Sequence, residues 1–289
     1  MEAVSEGRVQ DPSGVVRLIV IRRLLRRRRS KIAAVILFLI VAIAIVGPLL
    51  APFGQNEQDL LARNESPSAS HWLGTDSLGR DLLSLLLYAT RVTVFAGLVA
   101  VVVSVVLGVP AGLLAGYLGG AWNLLPNTVS DVLLGVPPYM LALAIIGMQG
   151  PGLTNAMVAI GVVFAPRFFR VARGSVQATR EETFIEASRS IGSSTPRTVL
   201  THVLPNAASP ILVQVTFALG QAIVAEAGLS FLGLGVESPA SSLGTMLNLA
   251  FFNIDTASWP LYPPAVMIAV IVMVVSSLGD SMRDSLGSK

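Results

Sequence analysis

No cysteine occurs among the 289 residues. Disulfides, thiolate chemistry and cysteine-ligated metals are therefore excluded. Charge is also scarce, at 13% of residues, about half of what soluble domains carry. Hydrophobic residues make up 53%, so much of the surface is built to face lipid. Histidine appears only as His71 and His202. No GxxxxGK[ST] loop is present to cradle a nucleotide phosphate. The GLSFLG stretch around Ser230 is not GxSxG and lies in an apolar run. A net charge of +3 gives no indication of a nucleic-acid partner. No catalytic, cofactor-binding or metal-binding residue is assigned.

What is present in abundance is long apolar sequence. Crossing a bilayer takes roughly 20 residues of helix. The pattern predicts an all-α polytopic membrane protein with six spans, at about 32–51, 92–118, 125–148, 153–174, 206–233 and 262–281. The runs do not alternate in polarity, which excludes an outer-membrane barrel. The first run follows the basic stretch IRRLLRRRRSK, which also suits a signal peptide. Its apolar core exceeds the usual signal length and ends in GPLLAPFG, a poor cleavage site. Retention as a membrane anchor is expected.

Lysine and arginine set the orientation. With the N-terminus inside, seventeen of the 20 basic residues fall on one side, counting the group from Arg167 to Arg197. Only Arg63, Arg80 and Arg91 fall on the other. The expected plan is a cytoplasmic basic stretch 1–31, a first span 32–51, an external loop 52–91 and a core 92–281. Within that core lie a cytoplasmic polar insert, 181–205, and a second external loop, 234–261. Residues 282–289 end the chain in the cytoplasm. On this plan His71 and His202 lie on opposite sides and cannot share a metal. Trp72, Trp259 and Tyr262 fall near the outer interface, where aromatic rings are favoured.

Inside the spans, Gly108, Gly112, Gly116 and Gly120 recur every fourth residue. Such a stripe lets a second helix approach closely, either as fixed packing or as a moving contact. Pro137 and Pro138 interrupt the third span and predict a kink or a break, which in some proteins lines a solute path. Asp131 and Asp280 fall toward cytoplasmic ends. Glu226 is the one acid well inside a span. It faces protein or a wet cavity, as a structural partner of Ser230 or as a contact for solute.

The insert EETFIEASRSIGSSTPRTVLTHVLPN, residues 181–206, has the form of a short amphipathic helix made to lie in a groove. Phe184, Ala187, Ser188 and Ile191 fall at helical spacing. Glu181 and Glu182 suit a helix start. Gly192 stops the helix and Pro196 prevents its continuation. Without an ATP site or a series of buried charges, the chain reads as a conduit powered by something else.

This insert resembles the EAA loop of ABC importer permeases. Glu186, Ala187 and Ser188 stand for E-A-A, with serine at the second alanine, Gly192 is the later glycine, and Leu204 and Pro205 are the closing L-P. HWLGTDSLGRDLLS (71–84), EAGLSFLGLGVESPASSLGTML (226–247) and LGDSMRDSL (278–286) are similar to signatures of the dipeptide/oligopeptide permeases of the C type. The resemblance covers about residues 20–287. It implies an anchoring helix before a five-helix core in a cell inner or plasma membrane. It also implies a heterodimer with a second permease subunit, two cytoplasmic ATP-binding subunits and an extracytoplasmic solute-binding protein. Phe184, Glu186, Ala187, Ser188, Ile191, Gly192, Leu204 and Pro205 would couple to an ATPase. The cargo implied is peptide, with nickel or another small solute as the alternative. An ion-coupled secondary transporter would call for more buried ionisable residues and a repeat of the fold.

Overall fold

The structure, a computed structural model, describes residues 28–180, 201, 203–237 and 239–287. Its elements in these residues are helices joined by loops. They are α1 (Arg28–Leu50), α2 (Leu82–Leu118), α3 (Gly120–Gly135), α4 (Pro138–Gln149), α5 (Leu153–Arg180), α6 (Leu204–Phe231), α7 (Leu243–Phe252) and α8 (Tyr262–Gly287). A single 3₁₀ turn, Trp259–Leu261, precedes α8.

Contacts between helix ends sort them onto two sides. Ser30 Oγ at the start of α1 donates to Ser281 Oγ near the end of α8, at 2.9 Å. At the other end of α1, Tyr88 Oη near the start of α2 donates to the Pro48 carbonyl. Gly152 N–H, before α5, donates to the Leu234 carbonyl after α6. Val203, before α6, is buried with Tyr117 of α2 and Val176 of α5. Helices α1, α2, α5, α6 and α8 therefore each run from one side to the other. The α3–α4 pair also changes side, because it leads from the end of α2 to the start of α5.

That pair is not one straight span. The axis turns by 100° between Gly135 and Pro138. Pro137 and Pro138 thus produce a break, the stronger of the two outcomes expected from them. Pro137 holds extended backbone at ψ 130° and Pro138 opens the next helix, the position where a missing N–H costs nothing.

Three further expectations need correction. Helix α2 begins at Leu82 rather than near 92, so residues 82–91 are helix and not external loop. At 37 residues it is about 55 Å long, well beyond a hydrocarbon core of about 30 Å. Its extra turns start at Asp81, whose carboxylate accepts from Ser84 N–H at the N-cap. The charged Asp81–Ser84 start masks the helix when only apolar length is read. The loop at 234–261 also contains a helix, α7, opened by a capping box between Ser242 and Thr245. Trp259, expected at the lipid interface, is half-buried against the core beside Gly74. Trp72 and Tyr262 are exposed.

Two cores hold the spans. One joins α2, α4, α5 and α6 around Ile146, Ile160, Phe168 and Leu229. The other joins α1, α2, α6, α7 and α8 around Leu85, Ile223, Leu243 and Ile271. Phe38, Ile45 and Leu49 of α1 stay exposed, as suits an anchor helix at a lipid-facing edge.

Candidate translocation cleft and its supports

Helix α5 is the pivot of the arrangement, and its first face is a seam with α2. A Cβ on Gly112 would lie 2.5 Å from the Phe169 carbonyl oxygen and 2.8 Å from Ala172 Cβ. One on Gly116 would lie 2.8 Å from Val176 Cβ. Gly108 faces the Ala165 carbonyl just as closely, and from the opposite direction Gly161 of α5 faces Val103. Ser104 Oγ donates to the Gly161 carbonyl at 2.9 Å, across the seam. Bare backbone is what allows these two helices to meet. Gly120 departs from the expected stripe. It opens α3 at φ 53° and nothing lies near its Cβ position, because the α2 helix has already ended at Leu118.

Glu226 lies in a second support. It is 1% exposed, and Ser230 Oγ donates to its Oε1 at 2.7 Å. The hydroxyls of Ser242 and Thr93 face the same carboxyl, whereas Oε2 makes no hydrogen bond. Thr93 Oγ1 also accepts from Leu243 N–H at 3.0 Å, tying α2 to the start of α7. Gly244 and Gly235 sit so close to Ala227 and Ser230 that neither site has room for a side chain. The 226–247 signature therefore locks α7 onto α6 and α2. Glu226 belongs to that lock and is not among the residues lining the cleft described below.

The 71–84 signature builds a clamp at the start of α2. Asp76 accepts from the Leu78 and Arg80 N–H groups and pairs with the Arg80 guanidinium at 2.7 Å. Asp81 caps α2 with one oxygen and meets His71 Nδ1 at 3.0 Å with the other. Thr75 donates to the Ala62 carbonyl. Gly79 adopts φ 75° directly against the Asp59 backbone, a conformation and a clearance that only glycine supplies.

The second face of α5 opens onto a cleft of about 340 Å³ shared with α4, α6 and α8. Tyr139, Phe164, Phe217 and Leu229 give it an apolar wall, and Arg167, Gln221 and Ser276 are its polar members. Arg167 Nη1 donates to Gln221 Oε1, and the guanidinium sits 5.2 Å from the Phe164 ring centroid. Pro138 lines the same cleft, so the break in the third span shapes its wall. Sequence reasoning missed Arg167 because it was counted with the cytoplasmic basic group. Its place in the span 153–174, fourteen residues in, was the available signal.

One turn on, Arg170 pairs with Asp131 of α3 at 2.7 Å, and Arg173 donates to Asn127 Oδ1 at 2.9 Å. Asp131 thus bridges α3 to α5. Of the expected coupling residues, Leu204 and Pro205 open α6, half-buried and exposed respectively. Phe184, Glu186, Ala187, Ser188, Ile191 and Gly192 lie outside the described residues, as does His202.

Among the described residues, five helices long and apolar enough to cross a membrane and one bent pair, with a cleft between α4, α5, α6 and α8, define a membrane permease. The chain belongs to the family of binding-protein-dependent transport system inner membrane components, whose model matches residues 108–289. Residues 18–67 match the N-terminal transmembrane domain of oligopeptide transport permease C. The chain is 36% identical to a dipeptide transport system permease protein of Alkalihalophilus pseudofirmus, over 89% of this chain and 85% of that one. It is 40% identical, with the same coverage, to a glutathione transport system permease protein of Shigella flexneri serotype 5b. Structures of the MetNI methionine ABC transporter in inward-facing conformations share the fold. One covers 70% of this chain and 96% of its own at 21% identity, with a TM-score of 0.55. The protein is thus a permease subunit of an ABC importer of the peptide type, in an inner membrane. Its family is one of transport components and not of enzymes.

Proposed function

We propose that the chain forms half of the path by which an ABC importer moves peptides delivered by an extracytoplasmic solute-binding protein. The other half comes from a second, different permease subunit, and two cytoplasmic ATP-binding subunits supply the energy. The observation that carries this reading is the cleft between α4, α5, α6 and α8, in a chain whose relatives are named for dipeptide and glutathione transport. In this reading the Ser30–Ser281 side is cytoplasmic. There α5 and α6 flank the insert 181–205, and its helix from about 183 to 191 fills an ATPase groove through Phe184 and Ile191. Gly192 lets the chain turn away, and Leu204 and Pro205 return it to the membrane.

The test is reconstitution of the assembled complex in proteoliposomes. ATP-dependent uptake of a labelled dipeptide is expected only when the binding protein and both ATPase subunits are present. Phe184→Asp, which would bury an unpaired charge in the groove, is expected to abolish coupling with membrane insertion intact. Uptake by this chain alone, driven by an ion gradient, would refute the proposal.

A further inference from the structure

Three arginines, Arg167, Arg170 and Arg173, follow one another along α5. Two have polar anchors on α3: the Asp131 carboxylate for Arg170 and the Asn127 carbonyl for Arg173. Arg167 differs. It has no anchor on α3 but lines the cleft, where its partners are the Gln221 side-chain carbonyl and the Phe164 ring. Among the described residues no carboxylate forms an ion pair with it. It lies about 21 Å along the helix from Leu153, half-way down α5 and within a helix long and apolar enough to cross a membrane. A guanidinium keeps its charge and has five N–H donors. A charge within a span is costly unless it faces an anion or a wet cavity. The cavity is there, about 340 Å³ of it, with Gln221 as a neutral strut and Ser276 of α8 also in its lining.

We propose that Arg167, held in place by Gln221, receives a carboxylate of the cargo as it passes through the cleft. The planar fork of a guanidinium matches a carboxylate with two parallel hydrogen bonds, and every peptide with a free C-terminus carries one. The rest of the cleft wall is mainly apolar and makes no matching demand on side chains. On this account α5 reads the carboxylate, which any such peptide shares, and leaves residue identity to other parts of the importer. The proposal rests on the reading of the chain as a peptide-importer subunit.

The experiment uses the assembled complex with its binding protein, and compares a peptide with its C-terminally amidated twin. Arg167→Gln is expected to lower the acid-to-amide uptake ratio about tenfold, the loss of one charge-assisted hydrogen-bonded pair. Gln221→Glu, which gives the guanidinium an internal carboxylate, is expected to lower it in the same direction. Arg167→Lys should keep part of the preference. A separate readout uses the absence of native cysteine. In Ser276→Cys, with Arg167 intact, a sulfonate-bearing thiol reagent should react faster than a quaternary-ammonium one. An unchanged uptake ratio in whichever arginine or glutamine variant assembles, or a Ser276→Cys site without anionic preference, overturns the proposal. Those results would also follow if a carboxylate of the second permease subunit already filled the site. They leave the importer reading standing. That reading fails instead if the parent complex takes up neither peptide.

Discussion

The two faces of α5 are built on opposite principles. In the seam with α2, Gly108 and Gly112 meet α5 backbone, Gly116 and Gly161 meet Val176 and Val103, and Ser104 stitches the seam with a buried hydrogen bond. Toward α6 and α8, large side chains stand back from one another around a cleft with a lone guanidinium. In lipid, apolar burial alone does not drive helices together, so close packing and hydrogen bonds must do so. The seam spends its small residues on that task. It can act as a fixed spine, which leaves the other face free to carry an opening. The same contrast separates the loop before α2, where Asp76 pairs with Arg80 and Asp81 with His71, from Arg167, whose partners are Gln221 and the Phe164 ring.

Substitutions can break this contrast in decreasing order of effect. Gly112→Leu should be the most damaging, since even its Cβ would collide with Phe169 and Ala172. Overpacking typically costs about 1–3 kcal/mol, and here backbone is the obstacle. We expect loss of most assembled complex on gel filtration in detergent. Val102→Leu, on an exposed face of α2, should give parental yield. Equal yields for both would place the seam elsewhere. Next comes the Glu226 lock. Glu226→Leu strands the Ser230 hydroxyl, and a buried unpaired polar group costs roughly 1–3 kcal/mol. Glu226→Gln keeps an acceptor and should lose less. Thermal melting of the complex should rank parent above Gln above Leu, with uptake following the amount of intact complex. A change in cargo preference at parental stability would place Glu226 in the pathway. The smallest effect belongs to Asp131→Asn. Its pair with Arg170 is half exposed, and such pairs contribute about 0–1 kcal/mol. Melting should stay within error of the parent, and a large drop would show that α3 is held to α5 mainly by charge.

Much of this architecture was legible in the residues. Apolar length located the spans, and Pro137 and Pro138 marked the break, because a proline removes a donor wherever it sits. The glycine stripe was visible as a period, but its end was not. Gly120 continues the four-residue count, yet the helix that gives the count meaning stops at Leu118. Helix α2 was read ten residues short, because the polar Ser84, Thr90 and Arg91 lower the local apolar signal while Asp81 supplies the cap. The cleft was least legible. Its wall comes from four helices, and nothing local distinguishes Phe164 or Leu229 from any other core residue. Arg167 was visible as a letter and misjudged as a location. Orientation counting treats arginines as markers of the cytoplasm, and so it passes over one that a cavity permits inside the span.

The central claim is that α5 separates a rigid seam from a cleft that works during transport. Single cysteines at Ser104 and Ser276 test it in a chain free of other thiols, with labelling read on this subunit after the subunits are separated. In the reconstituted complex, Ser276→Cys should react with a small water-soluble thiol reagent, at a rate that changes when ATP and loaded binding protein are added. Ser104→Cys should stay unreactive in every condition. Equal labelling at the two positions, or a rate at 276 indifferent to turnover, would contradict the account.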